Sequence, residues 1–324
     1  MKSGYRDRAA IVLMAAIFTA LAGHGAWAQA TPTVKIVVPY PPGSGPDILS
    51  RVMADEIGRA KGPTMVVENR PGGGTVIGTE AVARAAPDGG TILLVANSFV
   101  INPALKKQNY DPSTTFEPIC YLAATPLVLV VNASSPYRTL ADLIGAARAK
   151  PGEVVFSSGG PASSLHIAIE VLKRAAKIDV TYVPYAGTAP AINALLGGHV
   201  TAVFADYPTV VSQLQSGALR GLVTTSRARV EALPDVPTFA EAGMGNYEAD
   251  IFYGYVAPAK TPPEMISQLT GWFSAALKAP ETKPKLAKLG LFPVGTCGAE
   301  FGAYMRKLGD EYGRIIRESN IKAE

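Results

Sequence analysis

The chain has 324 residues, a formal charge of +4 and only two cysteines, with 48% hydrophobic and 17% charged residues. That length gives ample core for two domains, or one large one, without disulfide staples. The charge excludes a polyanion-binding surface: basic residues are scattered, and the densest groups, at 283–288 and 306–317, read as solvated helix faces, so no nucleic-acid partner is expected.

At the N-terminus, Lys2, Arg6 and Arg8 precede the apolar run 9–22 and then Ala26-Trp27-Ala28. This is the pattern of a secretory signal peptide over 1–28 cleaved after Ala28, and the run is too short for a confident membrane span. The mature protein is therefore expected to be exported. In an oxidising compartment Cys120 and Cys297 either pair or stay as two buried thiols, and the sequence leaves both open.

Short β-rich runs then alternate with helical patterns. Val34 to Val38 precedes a helix over 48–60, in which Ile48, Leu49, Val52, Met53 and Ile57 share one face. Met65 to Val67 precedes a helix over 75–85, and Ile92 to Val95 follows Asp88-Gly89-Gly90. Further on, strands at 154–156, 180–183 and 200–204 precede helices at 163–176, 188–196 and 208–215, and Thr139-Leu140-Ala141-Asp142 has capping-box spacing. The C-terminal part reads as helices at 263–278, 281–289 and 299–317, with a strand at 292–294.

Such alternation predicts an α/β fold in which mainly parallel sheets are flanked by helices. The apolar segments 119–131 and 252–257 are expected to cross between two lobes, one formed by 31–131 plus 253–324 and the other, inserted, by 132–252.

The stretch Pro39-Tyr40-Pro41-Pro42-Gly43-Ser44-Gly45-Pro46-Asp47 joins the first strand to the first helix. Unpaired N–H groups at the positive end of a helix dipole form an anion cradle, glycines permit close approach, and Asp47 caps or orients the donors. The inserted lobe repeats the construction at Ser157-Ser158-Gly159-Gly160 with Ser163 and Ser164, and at Tyr185-Ala186-Gly187-Thr188. No Lys or Arg lies in these loops, so neutral donors would hold a carboxylate reversibly. Asp206, at the carboxyl end of a strand, either meets a ligand ammonium or protonated carboxyl, or caps the following helix.

Val38-Pro39-Tyr40-Pro41, Val67-Glu68-Asn69-Arg70-Pro71-Gly72, Ala86-Pro87-Asp88-Gly89, Ile101-Asn102-Pro103, Ser163-Ser164-Leu165-His166, Val183-Pro184-Tyr185, Leu233-Pro234-Asp235-Val236-Pro237 and Tyr253-Gly254 occur in this order over nearly the whole mature chain. In these motifs the sequence resembles the substrate-binding receptors of tripartite tricarboxylate transporters, the Bug receptors. The resemblance implies a two-lobed periplasmic binding protein of type II, a small carboxylate as ligand, inner-membrane permease subunits as partners, a monomer, no cofactor and no catalysis. It also implies ligand contacts from Tyr40, Pro42, Gly43, Ser44, Gly45, Asp47, Asn97, Ser98, Ser158, Ser163, Ser164, His166, Tyr185, Gly187, Thr188 and Asp206. Pro46 and Pro161-Ala162 depart from the family pattern and remove a hydroxyl and a backbone donor.

Two enzymatic readings compete. Gly43-Ser44-Gly45 after a strand, with Glu68 about 20 residues on, suggests a dinucleotide site, but Ile48 stands at the third glycine. Ser163 or Ser164 with His166 or His199 suggests a hydrolase, but no G-x-S-x-G elbow occurs. Metal binding lacks paired His or Cys at ligand spacing.

Overall fold

The computed structural model describes residues 33–160, 163–245, 247, 250–318 and 321. The leader expected over 1–28 and the Pro161-Ala162 pair lie outside the described residues, among which no helix is long and apolar enough to cross a membrane.

In chain order the elements are β1 (Thr33–Val38), α1 (Gly45–Arg59), β2 (Thr64–Asn69), a 3-10 turn (Gly73–Thr75), α2 (Val76–Ala83), β3 (Thr91–Val95), α3 (Asn97–Leu105), β4 (Phe116–Thr125) and β5 (Leu127–Asn132). Then come α4 (Leu140–Ala149), β6 (Val155–Ser158), α5 (Ser164–Ala176), β7 (Thr181–Pro184), α6 (Thr188–Leu196), β8 (Ala202–Asp206), α7 (Tyr207–Gln215) and β9 (Leu219–Thr224). The last are β10 (Ile251–Pro258), α8 (Pro263–Lys278), α9 (Thr282–Lys288), β11 (Phe292–Cys297) and α10 (Ala299–Glu318).

The strands form a six-stranded sheet, β11-β4-β10-β3-β1-β2, and a five-stranded one, β7-β6-β8-β5-β9. Both are mixed, which corrects the expectation of mainly parallel sheets. Parallel pairing is confined to β1 with β2 and β3, and to β6 with β7 and β8. Those strands are joined through helices, as parallel neighbours must be. By contrast β4 runs into β5 through Pro126 alone, and β4, β5 and β10 pair antiparallel with their neighbours.

The first crossing between sheets therefore lies at Pro126, inside the expected segment. The second is displaced: β10 pairs along its whole length within the first sheet, so 252–257 does not cross. The chain returns upstream, over 225–250, where the described residues contain no helix.

Strands covered on both faces read as continuous apolar runs. In the first sheet Ile36, Val38, Ile92 and Leu94 face Leu49, Met53 and Phe273, whereas Val37, Leu93 and Val95 face Phe99, Phe301 and Tyr312. The second sheet divides in the same way. Leu127, Leu129 and Val131 meet Leu143, Phe156 and Ile169, while Val128 and Val130 meet Ile192, Leu195 and Val210. Cys120 and Cys297 are partners in the β4/β11 ladder and form a disulfide, which decides the alternative that the sequence leaves open.

Candidate functional site

Parallel strands bring their carboxyl ends to one edge, and the loops that follow them converge there. In the first sheet the loop after β1 opens α1. Gly43 has φ +78, Ser44 is the N-cap residue with no side-chain cap, and Pro46 sits in the first turn, where its missing N–H costs nothing.

Asp47 is 3% exposed and braces this loop. Its carboxylate accepts from the Gly43 N–H at 2.9 Å, from Asn69 Nδ2 at 2.9 Å and from Arg51 Nε at 3.1 Å. Burial alone would raise its pKa, but the bonds from Arg51, Gly43 and Asn69 outweigh it and hold the carboxyl below the usual range. Asp47 is thus spent inside the loop, as an orienting group. Pro42 and Gly43 are exposed, and Ser44 donates to the Pro41 carbonyl at 2.7 Å.

Asp206 ends β8 in the other sheet and starts α7, yet its side chain gives no cap to that helix. It accepts instead from Thr188 Oγ1 at 3.1 Å and from Thr209 Oγ1 at 2.7 Å. Gly45, at the start of α1, lies against the same carboxylate. Burial pushes the Asp206 pKa up against these donors. A methyl group added at Gly45 would stand 3.1 Å from Asp206 Oδ2 and 2.7 Å from the Tyr253 hydroxyl, so the close approach requires glycine.

Tyr253, on β10, is a residue that the sequence reading used only as a family motif. It is 2% exposed, and burial together with the fields of Asp206 and Tyr40 raises its phenol pKa well above the ordinary value. Tyr40 is half-buried, and its hydroxyl lies 2.6 Å from Ser98 Oγ, near the start of α3. Asn97 does not join this group. Its amide donates to Tyr312 at 2.6 Å and to the Asp250 carbonyl at 3.2 Å, and accepts from the Phe252 N–H at 3.0 Å.

On the second sheet Ser158 Oγ lies 2.7 Å from the Tyr182 hydroxyl, and Ser163 caps α5 by accepting from the His166 N–H at 3.2 Å. The His166 ring stacks on Tyr182 at 4.0 Å between centroids, and its Nε2 lies 3.7 Å from Glu170. Ser163 therefore meets the backbone of His166 rather than its imidazole, and donates to the Gly160 carbonyl at 2.9 Å. Ser164 is 5% exposed at the start of α5, and Gly187, with φ +126, precedes α6. Tyr185 is half-buried, and its N–H bonds the Ser158 carbonyl at 3.2 Å.

The structure thus gathers Gly45, Tyr40, Ser98, Thr188, Asp206 and Tyr253 into one polar cluster between the sheets, with the Ser158 to Ser163 loop beside Thr188. Of the residues that the motifs did not single out as site residues, Tyr253, Thr209, Asn69 and Thr75 take part. Tyr253 is the one with a sequence signal, an aromatic hydroxyl beside a glycine in an otherwise apolar strand.

Glu68, the expected ribose reader of a dinucleotide site, pairs with Lys35 at 3.0 Å and with Arg70. Among the described residues no group of three or more His, Cys, Asp or Glu could hold a metal ion.

Residues 49–321 match the model of the tripartite tricarboxylate transporter family receptor. Protein BugT of Bordetella pertussis is 32% identical over 313 residues, 94% of this chain and 96% of that protein. Two solved structures share the fold at useful identity. Rhodopseudomonas palustris Rpa4515 with adipate gives a TM-score of 0.86 at 29% identity, covering 91% of this chain and 99% of the other. MatC from the same species with bound malate gives 0.81 at 27%, covering 88% and 98%. The chain therefore belongs to the tripartite tricarboxylate transporter receptor family, whose members are periplasmic solute-binding proteins of two-lobed α/β architecture.

Proposed function

We propose that this receptor captures a small organic carboxylate between a lobe built on the first sheet and an inserted lobe built on the second, with the crossings at Pro126 and within 225–250. It hands the cargo to inner-membrane permease subunits as a monomer, after export and cleavage behind Ala28. It carries out no chemistry on the ligand.

The observation that carries this reading is the meeting of Gly45 and Asp206. The bare start of α1 at Gly45 lies against the Asp206 carboxylate of the opposite lobe, so the positive end of this helix suits a carboxylate cargo. Tyr40 and the start of α1 at Ser44 and Gly45 line the gap from one side, and Thr188 with Ser158 and Ser163 from the other; in this arrangement Ser44, Ser163 and Thr188 donate to Pro41, Gly160 and Asp206. Asp206, which burial drives toward its neutral form, donates to a cargo oxygen. Adipate and malate in relatives of this fold favour dicarboxylates of four to six carbons.

Thermal-shift measurements with mono-, di- and tricarboxylates test the reading. A ligand at a hundred times its Kd should stabilise the fold by about 2.7 kcal/mol. Gly45→Val should abolish that shift and lower the unliganded melt by about 1–3 kcal/mol, because the new side chain crowds Tyr253 and Asp206. A shift with NAD and none with carboxylates would favour the dinucleotide reading. Ester turnover lost in Ser164→Ala would favour a hydrolase.

A further inference from the structure

Resting on that reading of the site, we propose that Tyr40 is a one-way hydrogen-bond donor to the cargo, with its polarity set by a relay running from Asn102 through Thr75 and Ser98. The relay begins in an unusual backbone. Thr75 has φ +85 and ψ −9, a left-handed conformation that a β-branched residue rarely adopts, and it follows three glycines that also have positive φ. Such strain persists where the surroundings over-determine it, and it concentrates at functional sites. A fourth glycine would relax the turn but would bring no hydroxyl.

The direction of the relay follows from counting protons. Asn102 Nδ2 lies 2.7 Å from the Gly74 carbonyl, which can only accept, so the amide must present its nitrogen on that side. The same nitrogen lies 3.3 Å from Thr75 Oγ1. With Thr75 accepting there, donation to Ser98 Oγ at 3.2 Å uses its single proton, whereas the reverse order would leave the proton of this buried residue without an acceptor among the described residues. Ser98 in turn passes its proton to the Tyr40 hydroxyl at 2.6 Å. Tyr40, having accepted, turns its own proton away from Ser98 and toward the gap that holds Asp206 and Gly45. Hydroxyl chains ordered in one direction polarise one another, so the final donor is strengthened. The partner chemistry that fits is an acceptor oxygen, a carboxylate above all. An ammonium or amide N–H would meet a donor.

Thr75 and Asn102 are positioning residues in this scheme, and Tyr40 is the one that touches cargo. Neutron diffraction on crystals exchanged into deuterated buffer without added carboxylate reads the relay directly. The Ser98 deuteron should lie on the line to the Tyr40 oxygen and the Tyr40 deuteron should point elsewhere. A Tyr40 deuteron lying on Ser98 Oγ overturns the proposal.

A double-mutant cycle reads its consequence, with adipate or malate as probe, whichever stabilises the parent more. Thr75→Gly, which also removes the strained backbone, should weaken binding about fivefold in the parent and less than about twofold in Tyr40→Phe. Thr75→Ser, which keeps the hydroxyl, should stay near the parent. Equal losses from Thr75→Gly in both backgrounds would mean that Thr75 acts on the fold alone, and the relay fails. If neither diacid binds the parent protein, the cycle is run with the carboxylate that the thermal-shift series returns; if none of the series binds, the carboxylate reading itself has failed, and the neutron map still decides the proton order.

Discussion

Burial acts on two aspartates at the candidate site, and their partners decide the outcome. Asp47 has a guanidinium, a backbone N–H and an amide, so its folded pKa lies below the ordinary value despite desolvation. Asp206 has two threonine hydroxyls, both neutral, and desolvation prevails. The consequences for stability have opposite signs. Asp47 contributes stability that is fully present above the unfolded carboxyl pKa of about 4 and is lost as pH falls through its lower folded value. Folded Asp206 binds its proton at higher pH than the unfolded chain does, so stability is lost as pH rises from the unfolded value to the folded one. Melting curves between pH 4 and 8 should therefore separate the two. Asp47→Asn should be destabilised by about 1–2 kcal/mol near neutrality, with the deficit shrinking in acid. Asp206→Asn should gain on the parent as pH rises. Parallel curves for Asp206→Asn and the parent would mean that burial does not set the ionisation of this carboxyl.

Gly159 joins the elements that form the second-lobe side of the site. A methyl group there would stand 2.6 Å from the Thr188 nitrogen and 2.7 Å from its hydroxyl. The β6 loop can therefore rest on the start of α6 only because the side chain is absent. Gly159→Ala should force the two apart, cost about 1–3 kcal/mol and pull Thr188 from Asp206, so calorimetry should register weaker carboxylate binding together with a lower Tm. A lower Tm with unchanged affinity would detach Thr188 from the site. At this scale much of the architecture was readable in the chain. The periodicity of 188–196 and 263–278 gave those helices their observed ends, and the capping box predicted at Thr139 is present in full. Two elements escaped for local reasons. Pro103 lies inside α3 and reads as a helix breaker, so 97–105 carries no helical signal of its own. In β9, Arg220 and Gly221 interrupt the apolar pattern. The site was legible as a set of loops, each announced by glycine and hydroxyl residues. Which side chains face the gap was not, because that depends on bonds between distant segments. Asn97 is bound by Tyr312 and Phe252, and no spacing within its own segment could reveal this.

Binding between lobes is a property of the whole molecule, because donors on opposite sides count only when both reach the cargo. The passage between sheets at Pro126 is narrow, and its surroundings lock the lobes together. The Tyr207 N–H bonds the Pro126 carbonyl at 3.1 Å, and Thr125 Oγ1 donates to the Gly290 carbonyl at 2.8 Å. Gly290, on the first lobe, has φ +73, and any side chain there would collide with the ring of Tyr207, which belongs to the second. The ring of Tyr207, the residue that follows Asp206, is thus seated on a bare stretch of backbone beside the crossing. Gly290→Ala should wedge this contact and bias the lobes apart. If the closed arrangement falls to a tenth of its parent population, the apparent Kd rises about tenfold. Small-angle scattering should then give a larger radius of gyration for the variant, returning to the parent's value when adipate or malate is in saturating excess. An unchanged radius accompanied by parent-like affinity would place the pivot elsewhere, in the 225–250 return segment.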